Sequence, residues 1–214
     1  QAMRNTNDGI SIIQTAESAA NEVTDILQRM RELAVQSASE TLDDDERSYI
    51  QDEFVQLSEE VERIAQVSEF NGVSLSNNTN TQLDVQVGIQ NASTSRISID
   101  LGDLRATALG VASTQLALSN VTSAQEALDT LDTALDSVNA LRSGLGAVQN
   151  RLDSALNNSQ VYTEALAGAE ASIRDTDFAE ETSNLTKFQI MQQAGVAALA
   201  QAKNINQSVI SLLS

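Results

Sequence analysis

The stretch ISIIQTAESAANEVTDILQRMRELAVQS, residues 10–37, sets Ile13, Ala16, Ala20, Val23, Leu27, Met30 and Ala34 at alternating spacings of three and four. Ile12, Ala19, Ile26 and Leu33 add a second row, seven residues apart. Apolar residues at these spacings share one side of an α-helix, and a stripe this wide suits contact with two neighbouring helices rather than one. The helical period returns over residues 124–214, and the chain contains no Pro. Long uninterrupted helices are the expected elements.

Composition narrows the fold class. Only 3% of the 214 residues are aromatic, so a thick globular core is not expected. Thin bundles held by Leu, Ile, Val and Ala need only one stripe per helix and suit this chain better. Thirty Asp and Glu against twelve Lys and Arg give a formal charge of −18, which repels phosphate backbones and anionic lipid surfaces. Nucleic acid and membrane are therefore disfavoured as partners. No run approaches the roughly 18 apolar residues of a bilayer span, and without Cys there is no disulfide framework.

Working outward from residues 10–37, the stripe gives way to Ser, Thr and acidic residues at 37–41, where a turn is expected. Asp43, Asp44, Asp45 and Glu46 then stand where a second helix should begin, and carboxylates there complement the free N–H groups and the helix dipole. A calcium loop is the other use of such a run, but the D-x-D-x-D-G spacing is absent. Ile50, Phe54, Leu57, Val61 and Ile64 share one face of that helix, which ends before Phe70-Asn71-Gly72. Between residues 71 and 102 the period shortens to two, through Leu83, Val85, Val87 and Ile89 and then Ile97, Ile99 and Leu101, which predicts a hairpin.

The helical period resumes through Leu128, Leu131, Leu135, Val138, Leu141, Leu145, Val148, Leu152 and Ala155, and continues by Tyr162, Leu166, Ala169 and Ile173. Leu135, Val138 and Leu141 lie three apart twice in succession, a local irregularity. About 50 residues at ~1.5 Å each would make a rod of roughly 75 Å. Residues 174–177 interrupt the pattern, and a last helix follows from about Phe178. From residue 189 to 214 the sole charge is Lys203, so that helix is expected to bury itself against other subunits or a chaperone, or else within its own chain.

The predicted architecture is therefore mainly α with a small β-hairpin: an elongated antiparallel helical bundle plus a separate C-terminal helix. Helices are expected at about 2–38, 43–67 and 121–173 and the hairpin at about 83–101, with a division into units 1–174 and 175–214.

Little in the chain suggests catalysis. There is no His or Cys, and Lys187 and Lys203 sit in helical pattern without a Gly-rich elbow beside them. No phosphate loop, dinucleotide fingerprint or H-E-x-x-H pattern occurs. Asp129, Asp132 and Asp136 read as a solvated helix face, and Asn91-Ala92-Ser93 as a chance match to a glycosylation acceptor. No enzyme activity, cofactor or metal is expected.

Particular residues then point to a family. Asn7-Asp8-Gly9-Ile10-Ser11, the stretch from Leu27 to Ser37 and Phe70-Asn71-Gly72 resemble bacterial flagellin. Gln149-Asn150-Arg151-Leu152, Asp175-Thr176-Asp177-Phe178-Ala179, Gln192-Gln193-Ala194-Gly195 and Val209-Ile210-Ser211-Leu212-Leu213 do likewise, in order along nearly the whole chain. The resemblance implies a rod domain of two N-terminal helices, a hairpin and a long returning helix, followed by the C-terminal helix of an inner filament tube. The variable outer domains would be absent, and the family's N-terminal terminal helix would lie upstream of Gln1 and be missing.

The function implied is that of a filament subunit serving motility, secreted by type III export and located in the extracellular flagellum. Partners implied are other subunits, an export chaperone, filament cap and hook-filament junction proteins, and a host Toll-like receptor. The receptor-contact positions map onto Arg29, Leu33 and Glu53, although Leu33 also fits plain helix packing and Arg29 a solvated charge. Filament and chaperone contacts map onto Phe188, Ile190, Leu199, Ile205, Val209, Leu212 and Leu213. A hook-filament junction protein and a secreted adhesin or receptor-binding module without polymerisation are the alternatives.

Overall fold

The structure, a computed structural model, describes residues 1–77, 82–175 and 177–213, with side chains described as far as residue 201. Helix α1 spans Ala2–Ser37 and α2 Asp44–Val67; the short strands β1 (Glu69–Phe70), β2 (Val73–Ser74), β3 (Gln82–Gln86) and β4 (Arg96–Asp100) follow, then α3 (Val121–Arg174) and α4 (Phe178–Leu213). The chain is thus mainly helical with two small antiparallel strand pairs, β1–β2 and β3–β4. It divides into two compact units, Gln1–Tyr162 and Thr163–Ser214.

In the first unit α1 buries Ile13, Ala16, Ala20, Val23, Leu27, Met30 and Ala34 together with Ile12, Ala19 and Leu33, the two rows that the spacing marks out. Asp43 caps α2: its carboxylate accepts from the Glu46 N–H at 2.8 Å while the Glu46 carboxylate accepts from the Asp43 N–H at 3.3 Å, a reciprocal capping box. Helix α2 folds back along α1 and buries Ile50, Phe54, Val61 and Ala65. Arg47, itself buried, donates to the carbonyls of Ser37, Ser39 and Leu42, and so satisfies backbone acceptors at the end of α1 and in the turn beyond it.

Along α3 the buried residues are Ala124, Ala127, Leu131, Ala134, Val138, Leu145 and Leu152, with Leu141 partly buried between them. The spacing is regular once Ala127 and Ala134 are counted, so the irregular step through Leu135 disappears. Leu128 and Leu135 pack at the rim of the core rather than on its central line.

Residues 101–120, which carry no periodicity, cover the bundle. Leu104, Ala106, Val111, Ala112 and Leu118 are buried in the same core as α1, α2 and the first half of α3. Helix side chains hold this irregular backbone in place. Ser58 Oγ donates to the Val111 carbonyl at 2.9 Å, Ser37 Oγ to the Leu118 carbonyl at 2.8 Å, and the Ala106 N–H donates to Glu62 at 3.0 Å. A buried loop needs such partners, because an unpaired peptide group inside the protein costs about as much as a lost hydrogen bond.

Strands β3 and β4 pair Leu83 with Ile99 and Val85 with Ile97, and their inner face lies on a second core containing Ile12, Ile13, Ala16, Leu145 and Leu152. Gly9 makes this approach possible, since a Cβ there would stand 3.1 Å from Val85 and 3.3 Å from Leu152. Ile89 does not continue the inward row: β3 stops at Gln86, the chain turns away, and Ile89 is 88% exposed. The pair β1–β2, unseen in the periodicity, closes through Asn71 (φ 50°) and Gly72 (φ 78°), both left-handed as a tight two-residue hairpin turn requires.

Candidate interaction surfaces

Among the described residues no group of three or more carboxylate, His or Cys side chains could hold a metal ion, and no helix is long and apolar enough to cross a membrane. Two surfaces stand out instead. One is charged and the other apolar.

The charged surface centres on Arg29 of α1. Its Nε and Nη2 both donate to Glu53 Oε1 of α2, at 3.0 and 2.8 Å, and Nη1 donates to Glu32 at 3.0 Å. All three side chains are about half exposed or more. Hydrogen bonding to Glu53, and then to Glu32, raises the guanidinium above its ordinary value. Solvent-exposed pairs of this kind contribute little to stability. Their effect is to fix the direction of a guanidinium at the surface, where its planar fork suits a carboxylate or amide partner.

Leu33 does not join Arg29 at this surface. It is 1% exposed and belongs to the core between α1, α2 and α3. Residues four apart on a helix differ by about 40° around its axis, and here that rotation carries the side chain from rim to interior. The sequence-based expectation of an apolar surface anchor at Leu33 is corrected accordingly.

A second ion pair joins Arg31 of α1 to Asp132 of α3 at 2.6 Å. The hydrogen bond from Arg31 holds the Asp132 carboxyl below the usual range, and Asp132 raises Arg31 in return. Asp132 therefore has a cross-helix partner rather than only a solvated face. At the head of the irregular segment Arg105 pairs with Asp103 at 2.7 Å and lowers its carboxyl. Every side-chain cation of the first unit is an Arg; the two Lys of the chain, Lys187 and Lys203, both lie on α4.

The apolar surface is α4. Asp177 caps its start, accepting from the Ala179 and Glu180 N–H groups at 2.9 and 3.3 Å. Beyond the cap, Phe178 is 82% exposed and Leu199 73% exposed, and Phe188 and Ile190 stand in solvent as well. Leu185, Met191 and Val196 share this exposure, although the sequence reading had not singled them out. The signal available was the lack of charge after residue 189, which marks the whole circumference rather than a stripe. Ile205, Val209, Leu212 and Leu213 lie outside the residues whose side chains are described. The α3 stripe also emerges into solvent past Leu152, with Val161, Tyr162, Leu166 and Ile173 all exposed.

The chain is similar to known proteins over most of its length. The profile of the bacterial flagellin N-terminal helical region matches residues 1–81, and that of the bacterial flagellin C-terminal helical region matches residues 128–213. Because the N-terminal region is matched from residue 1, the expectation that the family's N-terminal helix is missing finds no support in this match. A flagellin of Halalkalibacterium halodurans is 44% identical over 213 residues, covering 100% of this chain and 78% of that protein. The "Flagellar filament 33 kDa core protein" of Treponema phagedenis is 40% identical, covering 100% of this chain and 79% of that protein. Among solved structures, a Bacillus cereus flagellin is similar at a TM-score of 0.64 and 32% identity, over 77% of this chain and 94% of that one.

Proposed function

The chain belongs to the bacterial flagellin family, and from that premise we infer that it is a structural subunit of the flagellar filament and serves motility. The observation that carries the reading is α4, whose apolar side chains stand in solvent and become buried when further copies pack on them. Subunit contacts in an open helical lattice are heterologous: one patch meets a different patch and the contact never closes on itself. The division of labour proposed is a rod formed by residues 1–174 and an inner-tube helix formed by residues 175–214.

Phe188, Ile190 and Leu199 are the anchors proposed for the described part of α4, with Ile205, Val209, Leu212 and Leu213 continuing them. An export chaperone would take the same helix into an apolar groove, so chaperone binding and filament packing would exclude each other. Cap and junction proteins at the filament ends would meet the surfaces that subunits present to one another. Secretion to the extracellular flagellum follows from the same reading. Between β4 and α3 only residues 101–120 intervene, which is why the variable outer domains are taken as absent.

Assembly tests this reading. Because each copy carries a formal charge of −18, added salt should screen repulsion and increase the pelletable polymer that the protein forms, while Leu199→Asp should abolish it. Sedimentation and light scattering across a salt series read both effects. Failure of the unsubstituted protein to polymerise at any salt would remove the filament assignment, and undiminished polymer from Leu199→Asp would remove α4 from the contact.

For the Toll-like receptor, the proposed contact patch is Arg29 with Glu53, without Leu33, which lies in the core. Arg29→Ala should weaken receptor signalling at least ten-fold without a measurable change in melting temperature, since the ion pair is exposed and contributes little to folding. Unchanged signalling by that variant would rule the patch out.

A further inference from the structure

Helix α3 crosses a seam. The buried residues of the first unit form two separate cores: one joins α1 from Ala20 onward, α2, the irregular segment and α3 as far as Val138; the other joins Ile12 to Ala16 of α1, the β3–β4 pair and Leu145 and Leu152 of α3. Helices α1 and α3 run through both cores, whereas α2 contributes its buried residues only to the first and β3 and β4 only to the second. Leu141 lies at the junction and packs against each core. Gly102 sits against it, where a Cβ would come within 2.8 Å of the Leu141 side chain.

Immediately beyond Leu141 the helix contains Ser143-Gly144-Leu145-Gly146. Neither glycine is required by packing or by backbone conformation. A Cβ at either position meets nothing within 4 Å, and both have ordinary negative φ. Gly9 and Gly102 make room for a neighbouring side chain; Gly144 and Gly146 make room for nothing. Each therefore weakens the helix relative to Ala with no compensating contact. Gly168 and Gly195 also face open space, but each stands alone on a helical stretch whose apolar side chains are exposed. A second observation falls on the same turn: the Nε of Arg142 is buried without a hydrogen-bond partner among the described residues, which is unusual for a guanidinium and is relieved by any local opening.

We propose that residues 143–146 are a hinge in α3, placed beside the seam so that the hairpin half of the first unit can flex against the three-helix half, with α1 bending along and Leu145 staying seated in the second core. Two weak helical positions at the junction of two well-packed bodies localise the deformation there, because packed cores resist continuous strain. The hinge belongs to the folded chain itself and does not depend on assembly.

Amide hydrogen exchange on the full chain tests this. Amides of residues 145–150, which bond back to carbonyls across the glycines, should exchange at least ten-fold faster than those of residues 131–138. Gly144→Ala and Gly146→Ala should each slow them about five-fold, and the double variant about twenty-five-fold; ~1 kcal/mol per site is converted at about 1.4 kcal/mol per decade. Gly168→Ala should leave this window unchanged. Because the chain has no Cys, spin labels on Asp129→Cys and Asn157→Cys, one in each half and both at exposed sites, report bending directly. Their distance distribution should narrow in the double Ala variant. Uniform protection across residues 131–150, or a width that the two Ala substitutions leave unaltered, would overturn the hinge.

Discussion

Phe54→Ala should destabilise the first unit by about 4 kcal/mol, the middle of the range for truncating a buried Phe. Phe54 is fully buried, and it is the one aromatic side chain in a core otherwise built from Leu, Ile, Val, Met and Ala. Its core is shared by α1, α2, α3 and the segment 101–120, and side-chain hydrogen bonds from the helices pin that segment, which resists inward collapse into the space that the ring leaves. The cavity term is then retained almost whole. Against a usual domain stability of about 5–15 kcal/mol, such a loss is a large fraction of the total. Urea denaturation followed by far-ultraviolet circular dichroism measures it, and the slope should stay constant while the midpoint falls. Phe54→Leu, which keeps most of the volume, should lose less than half as much. A loss below about 2 kcal/mol for the Ala variant would mean that the core relaxes, contrary to the packing described.

Arg47→Met should cost about 3 kcal/mol for a different reason. Among the described residues the buried guanidinium makes no ion pair; it donates to three backbone carbonyls, those of Ser37, Ser39 and Leu42. Met fills a similar volume but leaves those acceptors unsatisfied, and an orphaned buried acceptor costs roughly 1–3 kcal/mol. The damage should be local, with the turn between α1 and α2 losing hydrogen-exchange protection before the rest of the unit. Arg47→Lys should not rescue it, because a compact ammonium cannot reproduce the planar fork that reaches all three oxygens. A Met variant within about 1 kcal/mol of the parent, or full recovery with Lys, would show that water substitutes for the side chain.

These two positions also mark how far the sequence could be read. The row through Ile50, Phe54 and Val61 is visible as period, because large apolar side chains recur where the helix turns inward. Arg47 is not visible: a charged residue on that same face reads as a rim position until its carbonyl partners are known. On α1 the two-row stripe matched the buried face almost residue for residue. Following Leu alone along α3 produced a false irregularity, because Ala127 and Ala134 occupy the central line at close helix contacts and small residues give a weak hydrophobic signal.

The segment 101–120 was opaque for a more basic reason. Its burial comes from tertiary fit over an existing surface, which no period encodes. Alternation carried Ile89 inward on paper, but a strand ends where its partner ends. Of the interaction surfaces, α4 was legible from its lack of charge after residue 189. The Arg29–Glu53 contact was not, since residues 24 apart meet only once α2 has folded back along α1.

The placement of the two lysines has a practical corollary for chemical labelling. Acylating dyes and aldehyde crosslinkers react with primary amines, and none is carried by any side chain in Gln1–Tyr162, whose cations are guanidinium groups. Apart from the α-amino terminus, such reagents are directed to Lys187 and Lys203, on the helix proposed for the inner tube. Dye uptake at these two lysines therefore becomes a running gauge of how much α4 is still open to solvent, and a conjugate made on them before polymerisation carries its tag on the surface proposed to be covered by neighbouring copies.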